Sequence, residues 1–153
     1  MAPFTGFGAL KTPRDLLRKM EHDHARMESE PSNEYAAFDF FVTAEHMLDW
    51  IHPGRNNNKV RESVRDSAVL LQVTSHIANG AKHFEATDPC HKSVIEIERD
   101  QYVEPDYVEP GYFAEPLVIK LSAVEGAVLG GTEIEATELG RRVLEYWRIN
   151  APQ

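Results

Sequence analysis

The sequence predicts a mainly helical α+β fold, built from an N-terminal three-helix bundle, a β-hairpin with a long loop, and a C-terminal helix. Three observations predict it. Apolar residues recur at helical spacing between residues 12 and 84, the period changes to strict alternation at residues 94–98 and 117–121, and a capped amphipathic stretch returns after residue 132. At 153 residues the chain has the length of one domain. It is expected as a single domain over 1–153, with the bundle at 12–84, the hairpin at 93–121 and the last helix at 132–149.

The first helix signal is Thr12-Pro13-Arg14-Asp15. Thr12 suits the N-cap, Pro13 the first helical position where a missing N–H costs nothing, and Asp15 the positive end of the helix dipole. An amphipathic helix is expected from there to about Glu28, with His22-Asp23-His24 on a solvated face. Pro31-Ser32-Asn33 breaks it and offers Ser32 or Asn33 as the cap of a second helix over Glu34–Ile51. There Phe38, Phe41, Ala44, Leu48 and Ile51 repeat at helical spacing, which predicts a buried face. His52-Pro53-Gly54 ends that helix, because Pro53 disfavours the α conformation of His52. A third helix is expected from about Lys59 to Phe84. It carries no charged side chain between residues 67 and 81, so it belongs in the middle of the bundle.

Val94-Ile95-Glu96-Ile97-Glu98 and Leu117-Val118-Ile119-Lys120-Leu121 alternate as strands do, and most simply form a hairpin. Between them lies a tandem repeat, Tyr102-Val103-Glu104-Pro105-Asp106 and Tyr107-Val108-Glu109-Pro110-Gly111, followed by the looser Tyr112-Phe113-Ala114-Glu115-Pro116. A proline at every fifth residue predicts an extended or turn-rich connection. Its tyrosines offer a surface for a protein partner, or fold back over the hairpin. Gly130-Gly131 precedes Thr132-Glu133-Ile134-Glu135, read as a capping box for a last helix that runs to about Ile149. Ala136, Leu139, Val143 and Trp147 fall on one side of it, and Glu138 and Arg142 pair at i,i+4 on the other.

The formal charge is −9, split as −3 over residues 1–90 and −6 over residues 91–153, and all seven histidines lie at or before residue 91. Histidine chemistry therefore belongs to the first part, and the acidic second part argues against a surface that coats nucleic acid. The single cysteine, Cys90, excludes an intrachain disulfide and a cysteine zinc site. A cytoplasmic location is expected, with no signal peptide and no membrane span. Phosphate-loop and dinucleotide fingerprints are absent.

On the third helix His76, Asn79 and His83 fall at i, i+3 and i+7, a polar stripe on an otherwise apolar element. Such groups are buried only when hydrogen-bonded, so the stripe either meets partners in the core or lines a cleft. Gly80 beside it costs about 1 kcal/mol of helix propensity, which points to close approach of a backbone, a ligand or a subunit.

Ala78-Asn79-Gly80-Ala81-Lys82-His83 resembles the Arg-polar-x-x-x-His motif of HEPN-domain proteins, with Asn79 at the polar position, His83 at the histidine and Ala78 where the arginine stands. The resemblance spans the helical residues 12–84. It implies a helical bundle that forms a homodimer, with Asn79 and His83 in a cleft at the interface, and the metal-independent endoribonuclease activity of the family's active members. Loss of the guanidinium at Ala78 removes a bidentate phosphate donor, which implies weak or degenerate catalysis. The segments Phe40–His46 and His76–His83 are also similar to a group of uncharacterised bacterial and phage proteins, a likeness that extends to the C-terminal helix.

The expected function is thus an HEPN-like module of a bacterial or phage conflict system, such as a defence or toxin–antitoxin system, acting on RNA without a cofactor. His83 is the expected acid/base, and Asn79 orients it or the scissile phosphate. His76 and Lys82 are the expected substrate contacts. Two alternatives stand beside this reading. One is a non-enzymatic protein-interaction module in which His76, Asn79 and His83 form a structural network. The other is a metal-binding bundle using Glu45, His46 and Asp49 with His76 and His83. Arg55, Lys59, Arg61 and Arg65 form the one basic concentration, read as a solvated helix start beside Glu62 and Asp66.

Overall fold

Thr12 caps the first helix as predicted, and Asp15, expected only to favour the helix dipole, makes the cap reciprocal: the Thr12 hydroxyl accepts from the Asp15 amide at 3.2 Å, and the Asp15 carboxylate accepts from the Thr12 amide at 3.0 Å. The computed structural model describes residues 2–99 and 115–153. Helix α1 spans Pro13–Ser29, and α2 spans Glu34–Ile51 with Asn33 as its cap, accepting from the Ala36 amide at 3.1 Å. A 3-10 turn at Arg55–Asn57 leads into α3 (Asn58–Asp66) and α4 (Val69–His83). Strands β1 (Val94–Arg99), β2 (Leu117–Leu121) and β3 (Glu133–Glu135) form an antiparallel sheet in the order β1-β2-β3. A short helix α5 (Ala123–Leu129) links β2 to β3, and α6 (Ala136–Asn150) closes the chain. The fold is therefore α+β and mainly helical, as expected.

The core lies where α1, α2, α4 and α6 meet and the inner face of β2 covers them. Met20, Phe40, Met47, Val73, Ile119, Leu139 and Val143 are fully buried there. Phe40 and Phe41 pack edge to face at 5.2 Å. The predicted face of α6 is correct, since Ala136, Leu139, Val143 and Trp147 are all buried. Glu138 pairs with Arg142 at 3.0 Å and also with Arg141 at 2.8 Å.

Five expectations are corrected. The helix expected over 59–84 is two helices, because Ala68 is extended and the Ser67 hydroxyl donates to the Val64 carbonyl, a local bond that competes with helix continuation. The polar α3 buries no residue, whereas the uncharged α4 enters the core. Thr132–Glu135 is no capping box: Ile134 pairs with Ile119 in the sheet, and α6 starts at Ala136. His22-Asp23-His24 is not a solvated face, since only His22 is exposed. Asp23 is buried and held by Lys19 at 2.5 Å and Arg26 at 3.2 Å, and His24 Nε2 meets the Thr137 carbonyl at 2.9 Å. Phe38 does not share the burial of Phe41 and Leu48 but is 52% exposed, because among the described residues no helix covers that edge of α2. Of the approaches expected at Gly80, that of a backbone is not found among the described residues: nothing lies within 4 Å of where a Cβ would stand, and Gly80 lines an open groove. The Tyr102, Tyr107 and Tyr112 repeat lies outside the described residues, as does the partner surface expected on it. Among the described residues no helix is long and apolar enough to cross a membrane.

Candidate functional site

Helix α4 sends Leu71, Val73, Thr74, Ile77 and Ala78 into the core, which turns its opposite side toward the chain between α4 and β1. That side carries the predicted stripe, and the structure divides it. His76 Nδ1 accepts the backbone amides of Ser93 at 3.0 Å and Val94 at 2.9 Å. A ring nitrogen that accepts twice is unprotonated, so the proton of neutral His76 sits on Nε2. Burial pushes the His76 pKa down, and the neighbouring His91 ring adds to this against an opposing pull from Glu125. His76 thus ties α4 to the start of β1.

Asn79 donates to the Ser75 carbonyl at 2.8 Å, one turn back on its own helix. Its cleft, of about 560 Å³, is also lined by His83, Glu85, Asp88 and His91. A second cleft of about 720 Å³ shares Asn79, Asp88 and His91 and continues to Glu45, Arg65 and Cys90. The expected pair Asn79 and His83 therefore does share a cleft. His76 and Lys82 do not line it: His76 lies on another face, and the exposed Lys82 projects outside. Ala78, at the arginine position of the motif, is buried, so that position points into the core.

Two further residues reach the site, His91, which the sequence did not single out, and Arg65, which it offered only as part of a solvated helix start. The turn Asp88-Pro89-Cys90-His91 is the signal for the first: Asp88 accepts the His91 amide at 2.9 Å through its carbonyl and the Cys90 amide at 3.0 Å through its carboxylate. This turn brings the His91 ring over His76, and burial lowers the His91 pKa, with Arg65 and His83 adding to it against Asp88. Burial and the neighbouring Asp88 raise the Cys90 thiol pKa, which leaves it a poor nucleophile. Arg65 donates to Glu45 at 2.8 Å, and its Nε is buried without a partner among the described residues. Burial raises the Glu45 pKa, partly offset by Arg65 and the Ser75 hydroxyl.

The metal alternative finds its acids engaged elsewhere, Glu45 by Arg65 and Asp49 by Arg61 at 3.4 Å. Among the described residues no three His, Cys, Asp or Glu side chains gather as a metal site. The solvated helix start holds for the exposed Arg55 and Lys59 but not for Arg61 and Arg65, which are only partly exposed and pair with acids of α2. Arg61 also binds the carbonyls of His52 and Gly54.

A second feature adjoins the stripe. Helix α4 ends in a γ-turn: the Glu85 amide donates to the His83 carbonyl at 2.7 Å, and Phe84 between them sits at φ 64°, ψ −51°. This positive-φ γ-turn is rare and strained, and a bulky residue is unusual in it. Phe84 is also 95% exposed, at the rim of an apolar groove of about 580 Å³ between α2, α4 and β1. Phe38, Ile95 and Ile97 are its other exposed apolar residues.

Compared with known proteins, the chain matches no family model, no curated protein and no solved structure.

Proposed function

We propose that this protein is a non-enzymatic protein-interaction module whose contact surface is the apolar groove between α2, α4 and β1. The observation that carries this reading is Phe84, an aromatic side chain kept almost fully in solvent on a strained turn. Strain of this kind costs on the order of 1–3 kcal/mol and persists where function requires it. Grouped exposed apolar side chains likewise mark contact sites rather than scattered surface residues. The stripe supports the same reading, since His76 is spent on two backbone amides and Asn79 bonds its own helix.

The test is the size at which the protein elutes from native cell extract, beside a variant carrying Phe84→Ser and Ile97→Ser. Wild type is expected in a larger complex and the variant alone. Co-elution of both as the free chain would overturn the reading.

One observation favours a second reading, the HEPN-like endoribonuclease: Asn79, His83 and His91 line one cleft, where two imidazoles would share acid and base roles. Glu85 and Asp88 on the same walls repel a phosphodiester, which is why this reading stands second. Purified protein incubated with RNA in EDTA decides it. Cleavage abolished by His83→Ala supports the enzyme, and no cleavage, or cleavage untouched by the substitution, removes it.

A further inference from the structure

β1 stands at the edge of the sheet, and among the described residues only β2 pairs with it. Its two faces differ in chemistry. The register places Ile97 opposite Ile119 on the groove side, while Ile95 is the extra residue where the pairing shifts between Val94 and Glu96. Both isoleucines are exposed, at 45% and 70%. On the outer face Glu96 and Glu133 flank Lys120, and Glu98 and Glu135 flank Val118. Lys120 forms an ion pair with Glu98 at 2.6 Å and also interacts with Glu96 and Glu133, so among the described residues this face sets four carboxylates against one cation.

A strand joined to an open edge presents alternate side chains to the two faces of the sheet, so an edge with unlike faces selects an alternating sequence. From this we propose that the outer edge of β1, unpaired among the described residues, takes an extended partner segment that alternates apolar and basic side chains. Its apolar residues enter the groove beside Ile97 and Phe84, and its Lys or Arg residues lie along the net acidic outer face beside Glu96. The charge complementarity of the outer face is what commits the occupant to a basic strand. The proposal rests on the reading of the groove as a contact surface and names the chemistry of what it contacts.

The probe is a synthetic peptide alternating leucine or valine with lysine, titrated into the isotope-labelled full chain and followed by NMR. Saturable shifts of the β1 amides and the Phe84 ring are expected, and a peptide with glutamate for lysine should bind at least tenfold more weakly. Ile97→Ser should weaken binding by a similar factor, with the remaining spectrum unchanged. The wild-type chain against the two peptides keeps the test decisive even if that variant misfolds. Equal binding of the acidic and basic peptides, or shifts elsewhere than β1, overturns the proposal. So does a concentration-dependent dimer that protects β1, which assigns the edge to a second copy. β1 amides already protected in the free monomer assign it to the chain itself and overturn the proposal too. If the peptide fails while the cellular complex still depends on Phe84 and Ile97, the strand chemistry is wrong and the contact surface stands; if both fail, the reading of the groove falls with it.

Discussion

His76 and His91 lie ring against ring, with centroids 5.4 Å apart and planes at 24°, and His76 at the same time accepts the two amides that begin β1. Protonation of His76 at Nδ1 removes both acceptor bonds and sets a charge beside His91. Both rings have folded-state pKa values held below 6.5, the ordinary histidine value, so the unfolded chain takes up protons first as pH falls. Their contribution to stability is complete above that value and is lost as pH drops toward the folded values. Glu45 works in the opposite direction, since its raised pKa favours proton uptake by the folded state. Thermal unfolding between about pH 7.5 and 5.5 should therefore be compared in wild type and His76→Asn, whose amide oxygen replaces the acceptor without titrating. The variant should lose less stability on acidification, and equal losses would show that His76 is no acid-sensitive tie.

The buried Asp23 and its partners predict an asymmetry. Lys19 and Arg26 reach Asp23 from one helix, and they also bond Thr43 at 2.9 Å and Asp39 at 3.0 Å across on α2. Asp23→Ala frees two cations that are already more than a third exposed, so the loss is about 1–2 kcal/mol of hydrogen bonding. Replacing Lys19 and Arg26 together with Ala strands a buried carboxylate, which costs about 3–5 kcal/mol. Urea denaturation should rank the double variant below Asp23→Ala, and the reverse order would contradict a buried charge held from both sides.

What the sequence made legible follows the range of the forces involved. Caps and breakers act within a few residues, so Thr12, Pro13, Asn33 and Pro53 placed α1 and α2 correctly. Alternation located β1 and β2 for the same reason. The split of the third helix was already present as a change of composition, charged before residue 67 and uncharged after it, but no glycine or proline marks the break. Asp23 and His24 looked solvated because their burial, and the Thr137 carbonyl that His24 meets, arise only when α1 packs on α2 and α6, although Lys19 and Arg26 stand within one turn of Asp23 on α1 itself. At the site the same distinction holds. Spacing along α4 was enough to bring Asn79 and His83 to one cleft, whereas His91 joins them through a turn eight residues further on. The groove was hidden because alternation at β1 suggests burial, and nothing local reveals that the helices leave Ile95 and Ile97 uncovered.

Two glycines in helices should respond to alanine with opposite sign. Gly80 has an open surround and an ordinary helical backbone, so Gly80→Ala gains helix propensity worth about 1 kcal/mol. At Gly126 a Cβ would stand 2.9 Å from the Gly131 carbonyl oxygen and 3.0 Å from Thr132 Cα. Those are backbone atoms of the turn into β3 and cannot swing aside, so overpacking of about 1–3 kcal/mol outweighs the propensity gain. Equilibrium unfolding of the two single variants tests this, and a stabilised Gly126→Ala would mean that the α5–β3 turn is looser than its geometry.

Phe84 offers the sharpest separation of folding from function. Its φ of 64° suits glycine, and its 95% exposure means that few contacts are lost when the ring is removed. Relief of strain, less the extra entropy of glycine in the unfolded chain, should make Phe84→Gly more stable by about 0.5–1 kcal/mol. The same substitution takes the aromatic ring from the rim of the groove, so peptide binding should weaken at least tenfold. Gain of stability with loss of binding is the expected pairing, read by denaturation and by the NMR titration on one protein sample. A destabilised Phe84→Gly would show that the ring supports the fold, and unchanged binding would remove Phe84 from the contact surface.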